Sequence, residues 1–501
     1  MANFRNLGAL IEPGLDGGKP AVVDLSRGTA RTFSYAELDA MADAAARGLL
    51  ARGLVRGDRV GLLAANSAEF LAVLYGAQRA GLIPVPVNWR FPPHLVDYVL
   101  RDSGAKLVLH DAARRAALPP ELTALALEDW AGEPGPFTPV TPEPREPAIF
   151  LYTSGSTGRP KGVVLSHQAH LWVVEQRLAA QDLSDERFLI AAPLYHMNGL
   201  ALAQLACAAH ATIVLLPHFE TRSYARAIGE HGCTWLTAVP PMLAMMLKDK
   251  AAMAEVDARS VRSIRLGSAP VGPALAAAIR AAFPAAKLIN AFGTTEGGPV
   301  VFGPHPGGLP TPPLSVGYPH PKVELRLRGA DGALSETEGV LEQRSPSVMN
   351  GYWNRPDLRL PFTEDGFYIT GDVFRRDADG FFTVVGRSDD MFICGGENIF
   401  PGQVEAVLER HPAVEQAAVV PMPDELKGEK PVAFVVLRPG AVADEASLKA
   451  HSLAEAPAYQ HPRNIWLLDA LPLSGTNKVD KAALMLLARE LLGKQQSSGG
   501  G

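Results

Sequence analysis

Cysteine is scarce in this chain: three residues in 501, Cys207, Cys233 and Cys394, stand far apart and form no CxxC pair. That excludes a disulfide framework and a cysteine zinc site, and a reducing cytoplasm is the compartment that fits. Positive charge is not in excess either. The formal net charge is −6, so no basic field points to nucleic acid. A bilayer-spanning apolar run is also missing, because the most hydrophobic stretch, 199–216, is interrupted by Gln204, His210 and Thr212. It reads as a buried helix running into a strand, so no membrane span is expected. The opening Met1-Ala2-Asn3-Phe4-Arg5 has neither the charged start nor the apolar core of a signal peptide. Internal repeats are absent, and the one low-complexity segment, 495–501, is expected to be a disordered tail.

What the chain does have is an ordinary globular balance, 47% apolar and 20% charged, with length for a large core and more than one domain. Ser34 with Glu37 three residues later forms a capping box that opens a helix running to about Arg52. A strand from Val60 to Leu63, a helix from Ala68 to Ala80 and a strand from Ile83 to Val87 follow. Such alternation predicts an α/β fold with layered, parallel-rich sheets. Residues 117–147, rich in proline and acidic groups, read as a surface connection.

Four segments carry chemistry. The first, Tyr152-Thr153-Ser154-Gly155-Ser156-Thr157-Gly158-Arg159-Pro160-Lys161-Gly162, packs three glycines, four aliphatic hydroxyls and a lysine between an apolar run and a strand-like Val163-Val164-Leu165. Its glycines let consecutive N–H groups turn toward one anion, and the hydroxyls and Lys161 complete a cradle for a polyphosphate. It is not a P-loop, since no glycine has the required spacing to Lys161. The second, Asn290-Ala291-Phe292-Gly293-Thr294-Thr295-Glu296-Gly297, offers a flat ring to stack on a purine, hydroxyls for a phosphate oxygen and a carboxylate for Mg²⁺. In the third, Thr370-Gly371-Asp372, a carboxylate has the two acceptor oxygens that vicinal hydroxyls need. The fourth, Gly386-Arg387-Ser388-Asp389-Asp390, follows fifteen residues later.

Together, and in this order, these segments resemble those of the adenylate-forming enzymes, the superfamily of acyl-CoA synthetases, peptide-synthetase adenylation domains and luciferases. The resemblance runs from about Thr32 to the helix after Lys478. It implies a large N-terminal adenylation domain, 1–388, and a small mobile α+β C-terminal domain, 389–494, hinged at Asp389. It assigns ATP and AMP binding to Thr153, Ser154, Gly155, Ser156, Thr157, Gly158 and Lys161, and to the adenine-side loop Gly267, Ser268, Ala269 and Pro270. Asn290, Ala291, Phe292, Gly293, Thr294 and Thr295, the ribose residue Asp372, Arg387 and Lys478 join that set. Glu296 would hold Mg²⁺ and Thr295 the α-phosphate. Phe292 stands where the family commonly has Tyr, so stacking survives and the phenol is lost.

His196, in Pro193-Leu194-Tyr195-His196, would wall the acyl site near the mouth of the thiol tunnel, with Met197, Asn198, Gly199, Gly293 and Thr294 around the acid. Gly395, Gly396 and Glu397 look like the pantetheine segment of CoA ligases. The catalytic lysine falls at Lys478, or at Lys481 if the register differs, and Asn477-Lys478-Val479 is similar to ligases for halogenated benzoates. The implied activity is acid–CoA ligation: a carboxylic acid and ATP give acyl-AMP and pyrophosphate, then the thiol of CoA takes the acyl group. Loading of a carrier protein is the alternative, and a luciferase-type oxygenase or a silent nucleotide-binding protein are more distant ones. Small and apolar pocket segments favour an aromatic, alicyclic or medium-chain monocarboxylate, with Arg265 facing outward or pairing structurally. A homodimer, common among such enzymes, is the expected assembly.

Overall fold

The computed structural model describes residues 4–130, 132–153, 159–267, 271–394, 397–424, 428–474 and 478–498, with the backbone alone at 397, 398, 459 and 495–498. The expected capping box is present: Ser34 accepts from the Glu37 N–H while the Glu37 carboxylate accepts from the Ser34 N–H, opening the helix Tyr35–Ala51. Ser67 and Ser166 cap Ala68–Arg79 and His167–Ala180 in the same way. Each N-cap satisfies helix N–H groups that otherwise lack an intrahelical partner.

Strands and helices assemble as the α/β alternation predicts. One seven-stranded sheet runs Lys287–Asn290, Ser263–Leu266, Trp235–Ala238, Arg187–Ile190, Thr212–Leu215, Pro20–Arg27, Thr29–Ser34, and all its pairings are parallel except the last hairpin. A four-stranded parallel sheet contains Arg59–Leu63 and Ile83–Pro86. The strand Pro147–Thr153 pairs antiparallel with Lys161–Ser166, whose other edge takes Gly351–Tyr352. A five-stranded antiparallel sheet holds Tyr368–Arg376 beside Phe382–Arg387.

After Asp389 the chain builds a separate sheet from Phe392–Cys394, Val414–Asp424, Gly428–Leu437 and Asn464–Leu467, covered by its own helices. Its core, including Ile399, Val404, Leu408, Val419 and Phe434, is distinct from those of the preceding residues. The 199–216 stretch is the helix Met197–Ala208 followed by the buried strand Thr212–Leu215. Among the described residues no helix is long and apolar enough to cross a membrane.

Two expectations change. The tail is expected to be disordered from residue 495, yet the helix Lys481–Ser498 runs through Gly493 and continues to 498; residues 499–501 lie outside the described residues. Within 117–147 the chain also forms the short strand Ala124–Ala126, and its later turn packs on the helix Tyr35–Ala51, since a Cβ at Gly48 would lie 3.0 Å from the Cα of Gly132.

Candidate active site

The cleft is built where sheets end and the C-terminal unit meets them. Thr153 lies opposite Lys161 at the open end of the antiparallel pair that delimits the glycine-hydroxyl turn, and its buried Oγ1 finds no partner among the described residues. Ser154, Gly155, Ser156, Thr157 and Gly158, along with Ser268, Ala269, Pro270, Gly395 and Gly396, lie outside the described residues. Lys161 Nζ stands 3.5 Å from the Tyr352 hydroxyl and 4.5 Å from the centre of its ring. That hydroxyl donates to Glu296 Oε1 at 3.1 Å. Burial and the neighbouring Glu296 raise the Tyr352 pKa, so the phenol stays protonated and keeps donating. Tyr352 therefore ties the lysine of the first motif to the carboxylate of the second.

The turn 293–298 is held by tight backbone approaches. Thr294 Oγ1 accepts from the Gly297 N–H at 2.8 Å, and the Gly297 carbonyl accepts from Gln343 Nε2 and Ser347 Oγ at 2.7 and 2.8 Å. Gly298, at φ +83°, lies against Ser347, where a Cβ would come within 2.5 Å of its hydroxyl. Phe292 sits edge-on to Phe374 with ring centres 4.8 Å apart, which fixes its plane. Asn290 spends its amide on the Leu314 carbonyl, at 2.7 Å, and so anchors the strand end. Thr295 and Glu296 are half-buried on the same turn.

Asp372 and Arg387 face each other across neighbouring strands, with Nη1 3.4 Å from Oδ1. Asp372 is buried, and that burial raises its carboxyl to about 6 against the opposing pull of Arg387. Arg387 also grips Asp389 with two bonds of 2.7 and 3.0 Å, so the residue read as the hinge is clamped to the residue read as a nucleotide contact. Lys478 is carried on a turn closed by the Ser474 N–H to its own carbonyl, at 2.7 Å, and by the Leu473–Val479 bridge. Much of its surface meets solvent, yet the surrounding cleft lowers its pKa, which Asp372 opposes and Arg387 reinforces. Lys481, the other register, is bonded instead to Asp390 at 3.0 Å.

His196 occupies the N-cap of Met197–Ala208, and its Nε2 is buried without a partner among the described residues. Burial, then the charges of Lys478 and Arg90, push its pKa down to about 4, so the ring is neutral at ordinary pH. A Cβ on Gly199 would stand 2.6 Å from the Ala192 carbonyl oxygen, so only glycine lets this helix start so close. Asn198 Oδ1 accepts from Arg265 Nη1 at 3.3 Å and from Thr237 Oγ1 at 3.4 Å, while its Nδ2 is buried and unpartnered among the described residues. Arg265 thus does not face outward; it pairs structurally, with Asn198 rather than with a carboxylate among the described residues, and the register of the parallel sheet sets it beside Thr237.

Sequence reasoning missed Tyr352, Thr237 and Arg177. Only Arg177 left a signal, since His170, Val174 and Arg177 are spaced as one helix face.

Glu296, linked through Tyr352 to Lys161, offers a carboxylate that fits Mg²⁺, which is commonly bound through one or two carboxylates together with substrate phosphates. Glu296 is the residue that would hold it.

Comparison with known proteins gives the same outline. Residues 15–353 match the AMP-binding enzyme family and residues 403–478 the AMP-binding enzyme C-terminal domain. The chain is 34% identical over 492 residues to a sulfoacetate–CoA ligase of Cupriavidus necator, covering 93% of this chain and 94% of that one. It is 34% identical over 465 residues to a feruloyl-CoA synthase of Amycolatopsis, covering 91% and 93%. ATP-bound MatB from Rhodopseudomonas palustris superposes with a TM-score of 0.86 at 28% identity, covering 97% of this chain and 99% of that one. With a family match over more than half its length and relatives of this identity along nearly all of it, the chain belongs to the AMP-binding, adenylate-forming enzymes.

Proposed function

We propose that this protein is an acid–CoA ligase. The carboxylate oxygen of the acid attacks the α-phosphorus of ATP, the bond to the bridging oxygen breaks, and pyrophosphate leaves with that electron pair. The thiolate of CoA then attacks the acyl carbonyl, AMP departs, and the thiol proton passes to solvent. The observation that carries the reading is the Asp372–Arg387 pair, with Nη1 3.4 Å from Oδ1, whose charges reach Lys478 from a distant stretch of chain.

In the first step Lys478 supplies positive charge between carboxylate and phosphate, where two anions must approach. Thr153 and Lys161, with the hydroxyls and N–H groups of 154–158, hold the outer phosphates. Asp372 accepts the ribose hydroxyls, Phe292 lies against the adenine, and Thr295 donates to the α-phosphate. Bound Mg²⁺, held by Glu296, would neutralise phosphate charge. Little covalent work falls to the protein, so positioning and charge carry the rate. In the second step the unit after Asp389 turns, Lys478 withdraws and the Gly395-Gly396-Glu397 segment comes to the thiol tunnel. The acids named in the relatives differ widely, so the acid is set by this chain's own pocket. A cytoplasmic location and a homodimer belong to the same reading, and fractionation and light scattering would read them.

The test is pyrophosphate release over a panel of short, branched, aryl and dianionic acids, with CoA or a phosphopantetheinylated carrier protein as acceptor. Release with at least one acid and thioester formation on CoA are expected. Lys478→Ala should abolish acid-dependent ATP–pyrophosphate exchange and leave CoA transfer from supplied acyl-AMP largely intact. Equal loss of both would reject the role given to Lys478, and thioester only on the carrier would move the acceptor from CoA to protein.

A further inference from the structure

Two arginines approach the acyl side of the cleft without a carboxylate. Arg265 lies on Ser263–Leu266 near the C-terminal end of the parallel sheet, the edge where α/β sheets place ligands. Its neighbours Ile264 and Leu266 are fully buried, but its own side chain turns to the start of Met197–Ala208 and donates to Asn198 Oδ1 at 3.3 Å. Arg177 comes from the helix His167–Ala180, on the face that buries His170 and Val174, and its Nη2 reaches the Pro299 carbonyl at 3.4 Å. Pro299 in turn packs against Gly293, whose Cβ would stand 2.7 Å from the Cα of Pro299. One guanidinium is thus bonded at Asn198 and the other beside Gly293, near enough that the charge of Arg177 acts on Arg265.

Their partners are neutral carbonyl oxygens, and among the described residues no carboxylate forms an ion pair with either. Another deeply buried arginine of the same domain behaves differently: Arg79 reaches Asp39 and Asp43, each at 2.5 Å. Burial lowers the pKa of Arg177, and burial with the charge of Arg177 lowers that of Arg265 to about 9, which leaves Arg265 protonated at neutral pH. His320 also feels Arg177, and it adds no negative charge. Two desolvated like charges destabilise the protein unless something compensates them. An apolar acyl chain lying here would leave both uncompensated, whereas an oxyanion would satisfy both forks.

We propose that Arg265 and Arg177 form a cationic end to the acyl pocket that receives a second anionic group of the substrate acid, remote from the carboxylate that is adenylated. This rests on the ligase reading above and replaces the expectation of an uncharged acyl tail. The substrate class is a bifunctional acid: a dicarboxylate, or a carboxylate bearing a sulfonate or phosphonate. Asn198, anchored by Arg265 and Thr237, leaves its Nδ2 to donate to the same oxyanion.

The experiment measures kcat/KM for pyrophosphate release with ATP over malonate, succinate, glutarate, adipate and 3-sulfopropanoate, against neutral counterparts such as 4-oxopentanoate for succinate. At least one dianion should exceed its neutral counterpart by about tenfold or more, the factor that corresponds to about 1.4 kcal/mol. Arg265→Met should erase that preference by raising KM for the dianion about tenfold more than KM for its neutral counterpart. Arg265→Lys should keep part of the preference, and Arg177→Met, made independently, should reduce it as well. ATP binding by calorimetry checks that each variant is folded. Turnover that favours neutral acids and is indifferent to both arginines would overturn the cationic pocket and leave the ligase reading standing. No pyrophosphate from any acid would overturn both.

Discussion

Asp372 is a carboxyl whose surroundings work against its charge. Burial raises it, Arg387 and Lys478 pull it back, and Asp389 and Asp390 add repulsion, leaving it at about 6. Only the ionised form offers acceptors to both ribose hydroxyls, so nucleotide affinity is expected to fall as pH drops below about 6 and to be flat above about 7. Folding stability runs the other way. A raised carboxyl stabilises the fold fully below its unfolded value, about 4, and that contribution is lost as pH rises through about 6. AMP calorimetry from pH 5 to 8 checks the first statement, and Asp372→Asn should bind more weakly with the slope gone; a slope that survives in the variant would assign the titration elsewhere. His196, held near 4, contributes no step in that range. The carboxylate and the histidine were legible as residue types in motif context. Tyr352 was not, because nothing in Gly351-Tyr352-Trp353 announces that strand pairing with Lys161–Ser166 will bring its hydroxyl to Glu296.

Gly199 shows how an element fixes a site. The helix Met197–Ala208 begins against the backbone of Ala192 and Pro193, and a methyl group there would overlap both carbonyl oxygens. Gly199→Ala should therefore push the helix start outward, destabilise the protein by roughly 1–3 kcal/mol as overpacking does, and raise KM for the acid more than for ATP, since His196 and Asn198 move with it. Urea denaturation and a two-substrate kinetic analysis read the two effects; unchanged stability with altered acid KM would mean that the backbone gives way locally. The helix start at Ser34 was readable because capping is a local matter of two or three residues. The short strand Ala124–Ala126 was not, because its only warrant is the parallel edge of Ala105–His110 beside it.

Across the whole chain, the unit after Asp389 is placed so that the charges of Asp372 and Arg387 reach Lys478. Two contacts cross the boundary: Arg387 to Asp389 at the junction itself, and Lys248 to Glu415 at 3.0 Å. In the proposed second step that unit turns by rotation of the backbone at Asp389. Asp389→Pro, with φ fixed, is expected to keep ATP–pyrophosphate exchange and to slow acyl transfer to CoA on the order of a hundredfold, as restraint of a gating motion does. Asp389→Ala separates the loss of the carboxylate from the loss of rotation and should retain transfer. If the proline variant transfers acyl groups normally, the hinge lies elsewhere.

The sequence by itself determined the fold class and the kind of chemistry, because glycine, hydroxyl and carboxylate patterns act over a few neighbouring residues. Only the tertiary structure decided which charges stand unpaired. Arg265 looked like an outward or paired residue in an apolar strand, and Arg177 like one more polar residue on a helix. Whether a charge has a partner depends on groups that the fold brings from far along the chain, and here it brought Asn198 and Pro299 rather than a carboxylate.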